Sequence, residues 1–180
     1  MRRYITIEKE IGETPLEALE REREHAHLPK NLPIAYAGRL DPMASGKLLL
    51  LIGDECKKQT KYHGLDKAYE FSVLFGASSD TGDTLGMLSF ENPPHIERTK
   101  LKEITRQLSG ASITLPYPHF SSKTVQGKPL HVWTLEKRLN EIRIPTITSR
   151  IHHLSLTSMI QKSGRNIRNE VLANIAKITH

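Results

Sequence analysis

Polar and apolar residues alternate over Tyr4-Ile5-Thr6-Ile7, the period of a short strand. Thr14 and Pro15, followed by Leu16-Glu17-Ala18-Leu19-Glu20, predict an N-cap, a proline at the first helical position and a helix charged on one side. Glycines at 46 and 53 bound Lys47-Leu48-Leu49-Leu50-Leu51-Ile52, an apolar run short for a helix and suited to a buried strand. Asp54 to His63 is polar and helical in character. From Lys67 to Gly76 the residues Tyr69, Phe71, Val73 and Phe75 recur with period two, which predicts a strand with one face buried. This is the clearest strand pattern in the chain.

Beyond it, Ser78 to Gly86 is a loop by composition, and Asn92-Pro93-Pro94-His95 marks a second break. Leu101, Ile104 and Leu108 stand at helical spacing within Thr99 to Leu108, with Gly110 past the end. Pro116-Tyr117-Pro118 stops any regular element, and Ser121 to Lys128 is polar with a turn at Gln126-Gly127. Leu130 to Leu139 reads as a helix, Ile151 to Met159 as a weak strand and Ser163-Gly164-Arg165-Asn166 as a hairpin turn. Val171 to His180 fits either helix or strand. There is no internal repeat and no low-complexity linker. The 180 residues suffice for one core of ordinary size with a small appendage, and a second full domain is not expected.

Charge changes this picture. The formal net charge is +6, but residues 1–120 hold 16 basic and 17 acidic side chains, whereas 121–180 hold 10 and 3. A basic final third favours a polyanionic partner, because cationic contacts to phosphates release counterions; solvated surface lysines are the bland reading. The longest apolar run, Leu48 to Ile52, is far short of the roughly 20 residues that span a bilayer, so no membrane partner is expected. One cysteine, Cys56, can form neither an internal disulfide nor a zinc cluster and fits a reducing cytoplasm. His152-His153 and the other histidines show no metal-ligand spacing with acids or cysteine, so no metal site is expected. Ser121-Ser122 lacks a nucleophile elbow, which argues against a serine hydrolase. Asp80-Thr81-Gly82-Asp83 is too short for a calcium loop.

The chemically informative segment is Ala37-Gly38-Arg39-Leu40-Asp41-Pro42-Met43-Ala44-Ser45-Gly46. It puts a carboxylate on a turn directly before a buried strand, with glycines on both sides that admit a close backbone or ligand. Two readings stay open from spacing alone: a carboxylate presented to a cleft, or an Asx-turn aspartate serving its own backbone.

Gly38-Arg39-Leu40-Asp41-Pro42-x-Ala44-Ser45-Gly46-x-Leu48 resembles the catalytic motif of pseudouridine synthases, and Pro42 and Ala44 point to the TruB family. Glu8-Lys9-x-x-Gly12-x-Thr14-Pro15-x-x-Ala18-Leu19 is similar to that family's first motif. Asp66-Lys67-Ala68-Tyr69 with Gly76, Thr81, Asp83 and Gly86 is similar to its tyrosine-bearing strand and following loop. Pro118-His119-Phe120-Ser121-Ser122-Lys123 with Gln126-Gly127-Lys128 resembles the entry to its RNA-gripping insertion.

The resemblance implies an α+β fold: a mixed, mainly antiparallel sheet flanked by helices, in one catalytic domain with a basic insertion around residues 117–150. It implies a tRNA pseudouridine synthase acting on the T-arm uridine at position 55, without cofactor, metal or guide RNA, as a cytoplasmic monomer. Asp41 would be the catalytic carboxylate, attacking C1′ or acting as a base at C2′, and Tyr69 would stack on the everted uracil and assist proton loss at C5. From periodicity alone Tyr69 reads as a core aromatic on an alternating strand, and only the resemblance gives it the stacking role. The RNA-contact candidates are Lys9, Tyr36, Arg39, Lys67, Lys123, Lys128, Arg138 and Arg143; Lys9, Lys67 and Lys123 could instead support the pocket or lie solvated on the surface.

Three departures stand out. Arg39 occupies a place usual for arginine in relatives that act on ribosomal RNA, and Tyr36 stands where the family often has a histidine that helps evict the base. The arginine motif that follows in the family, whose side chain pairs with the catalytic aspartate, is not found before His180; Gly164-Arg165-Asn166-Ile167-Arg168 comes too early and lacks the tyrosine. The chain therefore reads as the N-terminal two thirds of such an enzyme, a fragment or a shortened natural gene, with Arg39 a candidate substitute cation. The alternatives are an RNA-binding or RNA-folding module without catalysis and a ribosomal-RNA synthase.

Overall fold

The computed structural model describes residues 3–91 and 95–178. The Asn92-Pro93-Pro94 part of the break expected at 92–95 lies outside the described residues. Two compact units form, residues 1–71 with 162–180 and residues 72–161.

The first unit holds β1 (Tyr4–Lys9), α1 (Pro15–His25), β2 (Ile34–Tyr36), β3 (Gly46–Ile52), a 3₁₀ helix over Gly53–Lys58 and α2 (Gln59–His63). Strand β3 is central, antiparallel to both neighbours, with Lys9 opposite Gly46 and Tyr36 opposite Leu50. The leucine run becomes a strand because glycines end it on both sides, Gly46 at φ +140° and Gly53 at φ +59°, values that leave no room for a continuing helix. Leu48 and Leu50 pack with Ile7 of β1 and with Ala18 and Leu19 of α1, while Ile5, Ile34 and Tyr36 close the margin.

Helix α1 starts where the sequence says it should. The Thr14 hydroxyl accepts the Glu17 N–H at 3.2 Å, and the Glu17 carboxylate accepts the Thr14 N–H at 2.6 Å, a reciprocal cap on two otherwise orphaned donors.

The second unit holds β4 (Ala77–Ser79), β5 (Leu88–Phe90), α3 (Arg98–Leu108), β6 (Ser112–Pro116), β7 (Thr124–Val125), β8 (Lys128–Pro129), α4 (Leu130–Leu135) and β9 (Thr146–Arg150). Its strands pair antiparallel as β4–β5, β6–β9 and β7–β8. The β7–β8 turn falls on Gln126 and Gly127, both at positive φ, as a two-residue hairpin loop requires. Among its described residues only Leu130 and Trp133 are buried apolar side chains. The last helix, α5 (Gly164–Ile175), belongs to the first unit. No described helix is long and apolar enough to cross a membrane.

The α+β class and the antiparallel pairing agree with the sequence pattern, but four elements differ. No strand forms over 67–76: Tyr69, Phe71, Val73 and Phe75 are 70%, 66%, 61% and 44% exposed in a segment with no ladder partner among the described residues. Alternation selects a face only when a neighbouring strand supplies hydrogen bonds. The strand expected at 151–159 lies earlier, at Thr146–Arg150, where β6 pairs with it. The helix expected to reach Leu139 stops at Leu135, since Lys137 sits at φ 57°, and Leu139–Glu141 forms a separate 3₁₀ turn. Ser163 begins α5 rather than a hairpin, its hydroxyl accepting the Asn166 N–H at 3.3 Å.

Leu50 is fully buried at the centre of the first unit. Leu50→Ala is expected to cost about 2–5 kcal/mol by lost transfer energy and cavity formation, read as a lowered midpoint in urea denaturation followed by circular dichroism.

Candidate functional site

Residues 37–45 connect β2 to β3, so the Asp41 motif is the loop of a hairpin whose stem includes the most buried strand. The Ala37 N–H donates to the Leu49 carbonyl at 2.8 Å and extends the ladder past β2, and the Gln59 amide nitrogen donates to the Tyr36 carbonyl at 2.7 Å. Within the loop the Ala44 N–H donates to the Asp41 carbonyl at 2.9 Å. The Asp41 side chain is exposed, and among the described residues no hydrogen bond reaches its carboxylate. That excludes the Asx-turn alternative: the main chain makes the turn, and the carboxylate is left to solvent.

A second loop, between β1 and α1, approaches the first. The Gly12 N–H donates to the Pro42 carbonyl at 2.9 Å, one residue from Asp41. Gly12 has φ +103°, and a Cβ there would collide with the Lys177 carbonyl at the end of the α5 segment. Only glycine satisfies both demands, the left-handed backbone and the close approach of another main chain.

Lys9 organises that second loop from inside. It is fully buried, and its ammonium donates to the Glu10 carbonyl at 2.8 Å and the Glu13 carbonyl at 2.7 Å. Glu13 in turn accepts the Glu10 N–H at 2.7 Å and the Arg21 guanidinium at 2.8 and 3.2 Å. Burial lowers the Lys9 ammonium from the ordinary lysine value of 10.5, and the negative charges of Glu13, Asp41, Glu10 and Glu17 oppose that shift. Lys9 is thus a cation that feels the Asp41 carboxylate without being exposed to solvent. Of the three readings open to it in the sequence, phosphate contact, pocket support and a solvated surface lysine, full burial disagrees with the first and the last.

The other candidates are dispersed. Tyr36 is half-buried at the end of β2 against the core, and Arg39 is exposed within the Asp41 loop. The Lys67 ammonium donates to the His63 and Leu65 carbonyls at 3.0 and 2.8 Å, closing the C-terminal end of α2. Tyr69 is exposed, which removes the core-aromatic reading.

In the second unit, the Lys123 ammonium lies 5.0 Å from the centre of the Tyr117 ring. Lys128 and Arg138 stack on Trp133 at 4.5 and 5.3 Å. They also pair with acids: Lys128 with Glu136 at 2.7 Å, Arg138 with Glu136 at 3.3 Å and with Glu141 at 2.7 Å. Hydrogen bonding to Lys128 holds the Glu136 carboxyl below the usual carboxylate range, and the Arg138 hydrogen bond does the same for Glu141. Two of the cations expected to grip RNA are therefore already engaged within the chain. Arg143 is exposed beside Ile144, Pro145 and Thr146.

Sequence reasoning missed the Gly12–Pro42 clasp and the burial of Lys9. The sequence leaves Lys9 open between phosphate contact, pocket support and a solvated surface, and only its place in the fold shows that it is buried.

With this geometry, a carboxylate on a glycine-flanked loop clasped by the Lys9–Thr14 segment, comparison with known proteins is decisive. Residues 27–174 match the family model for TruB family pseudouridylate synthase, N-terminal domain. The chain belongs to the TruB family. It is 29% identical over 172 residues to tRNA pseudouridine synthase B of Aquifex aeolicus, covering 96% of this chain and 57% of that protein. It is 31% identical over 156 residues to the protein of the same name from Caldicellulosiruptor saccharolyticus, covering 87% and 52%. A 36% identity over 105 residues links it to tRNA pseudouridine synthase 4 of Saccharomyces cerevisiae, covering 57% and 26%. The chain spans about half the length of the bacterial relatives it matches.

Because burial lowers Lys9, the folded chain releases that proton at a lower pH than the unfolded chain, and between the two values the unfolded state binds more protons. Lys9 therefore makes stability rise with pH in the window just below 10.5, and costs stability below it. Urea titrations across that window are expected to show the rise in the parent chain and its loss in Lys9→Met.

Proposed function

We propose that this TruB-family chain is a tRNA pseudouridine synthase that isomerises the T-arm uridine at position 55. The observation that carries the reading is the exposed Asp41 carboxylate, free of hydrogen bonds from described residues, on a loop whose backbone is held by Gly12 and whose charge is felt by buried Lys9. The names of the relatives, tRNA pseudouridine synthase B and 4, support the substrate class.

Chemically, the C1′–N1 bond of uridine breaks and leaves its electron pair on N1, the uracil turns within the pocket, C1′ joins C5, the C5 proton leaves to solvent, and N1 takes up a proton from solvent, so that the product is an isomer of the substrate. Asp41 acts at the ribose, by attack on C1′ or as a base at C2′, and both routes need it ionised. Lys9, the buried cation of the adjoining loop whose own proton feels the Asp41 charge, takes the place of the family's arginine in this reading, in preference to the exposed Arg39. The exposed ring of Tyr69 offers a face on which an everted uracil can stack, with its hydroxyl near C5. Tyr36, at the end of β2, stands where the family often has a histidine that helps evict the base, and it is the candidate for that contact with the RNA. Exposed Arg143 and Lys123 contribute phosphate contacts, whereas Lys128 and Arg138 contribute by shaping the Trp133 cluster. The chain works without a guide RNA, cofactor or metal, as a cytoplasmic monomer.

Release of tritium from a T-arm transcript labelled at C5 of uridine tests the reading. The parent chain is expected to release it, and Asp41→Asn to lower the rate by at least ~10²-fold with RNA affinity retained. Affinity without release in the parent chain would instead make it an RNA-binding module. Release only from a ribosomal-RNA fragment would shift the substrate in the direction Arg39 suggests.

A further inference from the structure

Helix α3 carries a row of cations that its own folding does not explain. Arg98, Lys102 and Arg106 recur every fourth residue, so they lie along one side of the helix about 6 Å apart along its axis. Stacked like charges repel each other, and Arg98 at the first helical position opposes the helix dipole, whose first turn here contains no acid. Of the acids at the helix, Glu103 is taken by Lys100 at 3.2 Å and Gln107 at 3.2 Å, and Glu97 at the N-cap accepts the Thr99 hydroxyl at 3.3 Å. The side chains of Arg98, Lys102 and Arg106 are exposed and have no partner among the described residues.

The same side of α3 forms one wall of an open groove lined by Lys102, Thr105, Arg106 and Ser109, and opposite them by His153 and Leu154. The opposite wall is irregular, yet it is tied to the helix end. The Gly110 N–H donates to the Ile151 carbonyl at 2.6 Å, the Ile151 N–H to the Ala111 carbonyl at 2.9 Å, and the Leu154 N–H to the Ser109 hydroxyl at 2.9 Å. Residues 151–154 are thereby held in register against α3, and His153 is exposed across from Lys102 and Arg106. No carboxylate lines the groove.

We propose that this groove binds the phosphodiester backbone of the RNA substrate, with Lys102 and Arg106 as direct phosphate contacts and Arg98 extending the track. The proposal rests on the RNA-directed function proposed above and adds where the backbone lies. The contrast with the Trp133 cluster supports it: Lys128 and Arg138 spend their charge on Glu136 and Glu141, whereas Lys102 and Arg106 have none to spend it on. Phosphate contacts of this kind position an RNA without reading its sequence, so the groove serves as an anchor and takes no part in the chemistry.

The test measures affinity of the 180-residue chain for a T-arm hairpin by fluorescence anisotropy over a range of salt concentrations. Removing two phosphate contacts in Lys102→Gln/Arg106→Gln is expected to lower the slope of log K against log salt by roughly 1.4–1.8 and to weaken binding at low salt. Lys102→Arg/Arg106→Lys, which keeps both charges, is expected to retain the slope, and Lys30→Gln, an exposed cation of the first unit, to leave it unchanged. Circular dichroism of each variant verifies the fold, and all these positions are exposed. A parent chain that binds the hairpin with the same slope as the Gln double variant overturns the groove and leaves the proposed function standing. A parent chain that binds no RNA overturns both.

Discussion

A buried ammonium is tolerated only where oxygens replace the water it has lost, and at Lys9 those oxygens come from the backbone that follows it. By drawing in the Glu10 and Glu13 carbonyls, Lys9 curls residues 10–13 into a tight loop. That loop aims the Gly12 N–H at Pro42 and brings a positive charge within the field of Asp41. Remove the ammonium and two carbonyls lose their donor, the loop loses its shape and the Asp41 turn loses the clasp beside it. The site depends on this one desolvated cation more than on any contact made by Asp41 itself.

The loop is anchored outward as well as inward. Arg21 reaches from α1 to Glu13 and to the Glu8 carbonyl, the Thr14–Glu17 cap sets where α1 begins, and the Lys177 carbonyl lies against Gly12. A loop braced from β1, α1 and the α5 segment can present a neighbouring carboxylate at small reorganisation cost, which is what the chemistry proposed for Asp41 requires. An exposed Asp41 on an unbraced hairpin would have the same composition and none of that order.

Cations divide by what surrounds them and not by where they fall in the sequence. The last third of the chain holds most of the excess charge, and that asymmetry draws attention to Lys128, Arg138 and Arg143. Folding places Glu136 and Glu141 beside the first two and turns them into braces around Trp133. Arg98, Lys102 and Arg106 lie in the nearly neutral part of the chain and stay unneutralised, since Glu103 pairs elsewhere. A count of charge along the sequence cannot anticipate this, because an ion pair is a matter of a few ångströms between residues that may be eight apart.

Local rules sufficed wherever an element is closed by its own neighbours in sequence. The Thr14-Pro15 start of α1, the glycine-bounded strand at 46–52, the Gln126-Gly127 turn and the helix ending before Gly110 all follow from caps, φ preferences and periodicity within a few residues. The Asp41 motif was equally legible, because a carboxylate between glycine-bearing turns before a buried strand is a local arrangement. Tertiary structure decided what needs a partner from afar. Residues 67–76 alternate without a strand to pair with, so they stay irregular with Tyr69 exposed. The clasp of Gly12 on Pro42 and the groove of α3 against residues 151–154 join segments 30 to 45 residues apart, where no periodicity reaches and only packing chooses, and packing likewise decides that Lys9 is buried although its hydrogen-bond partners are local.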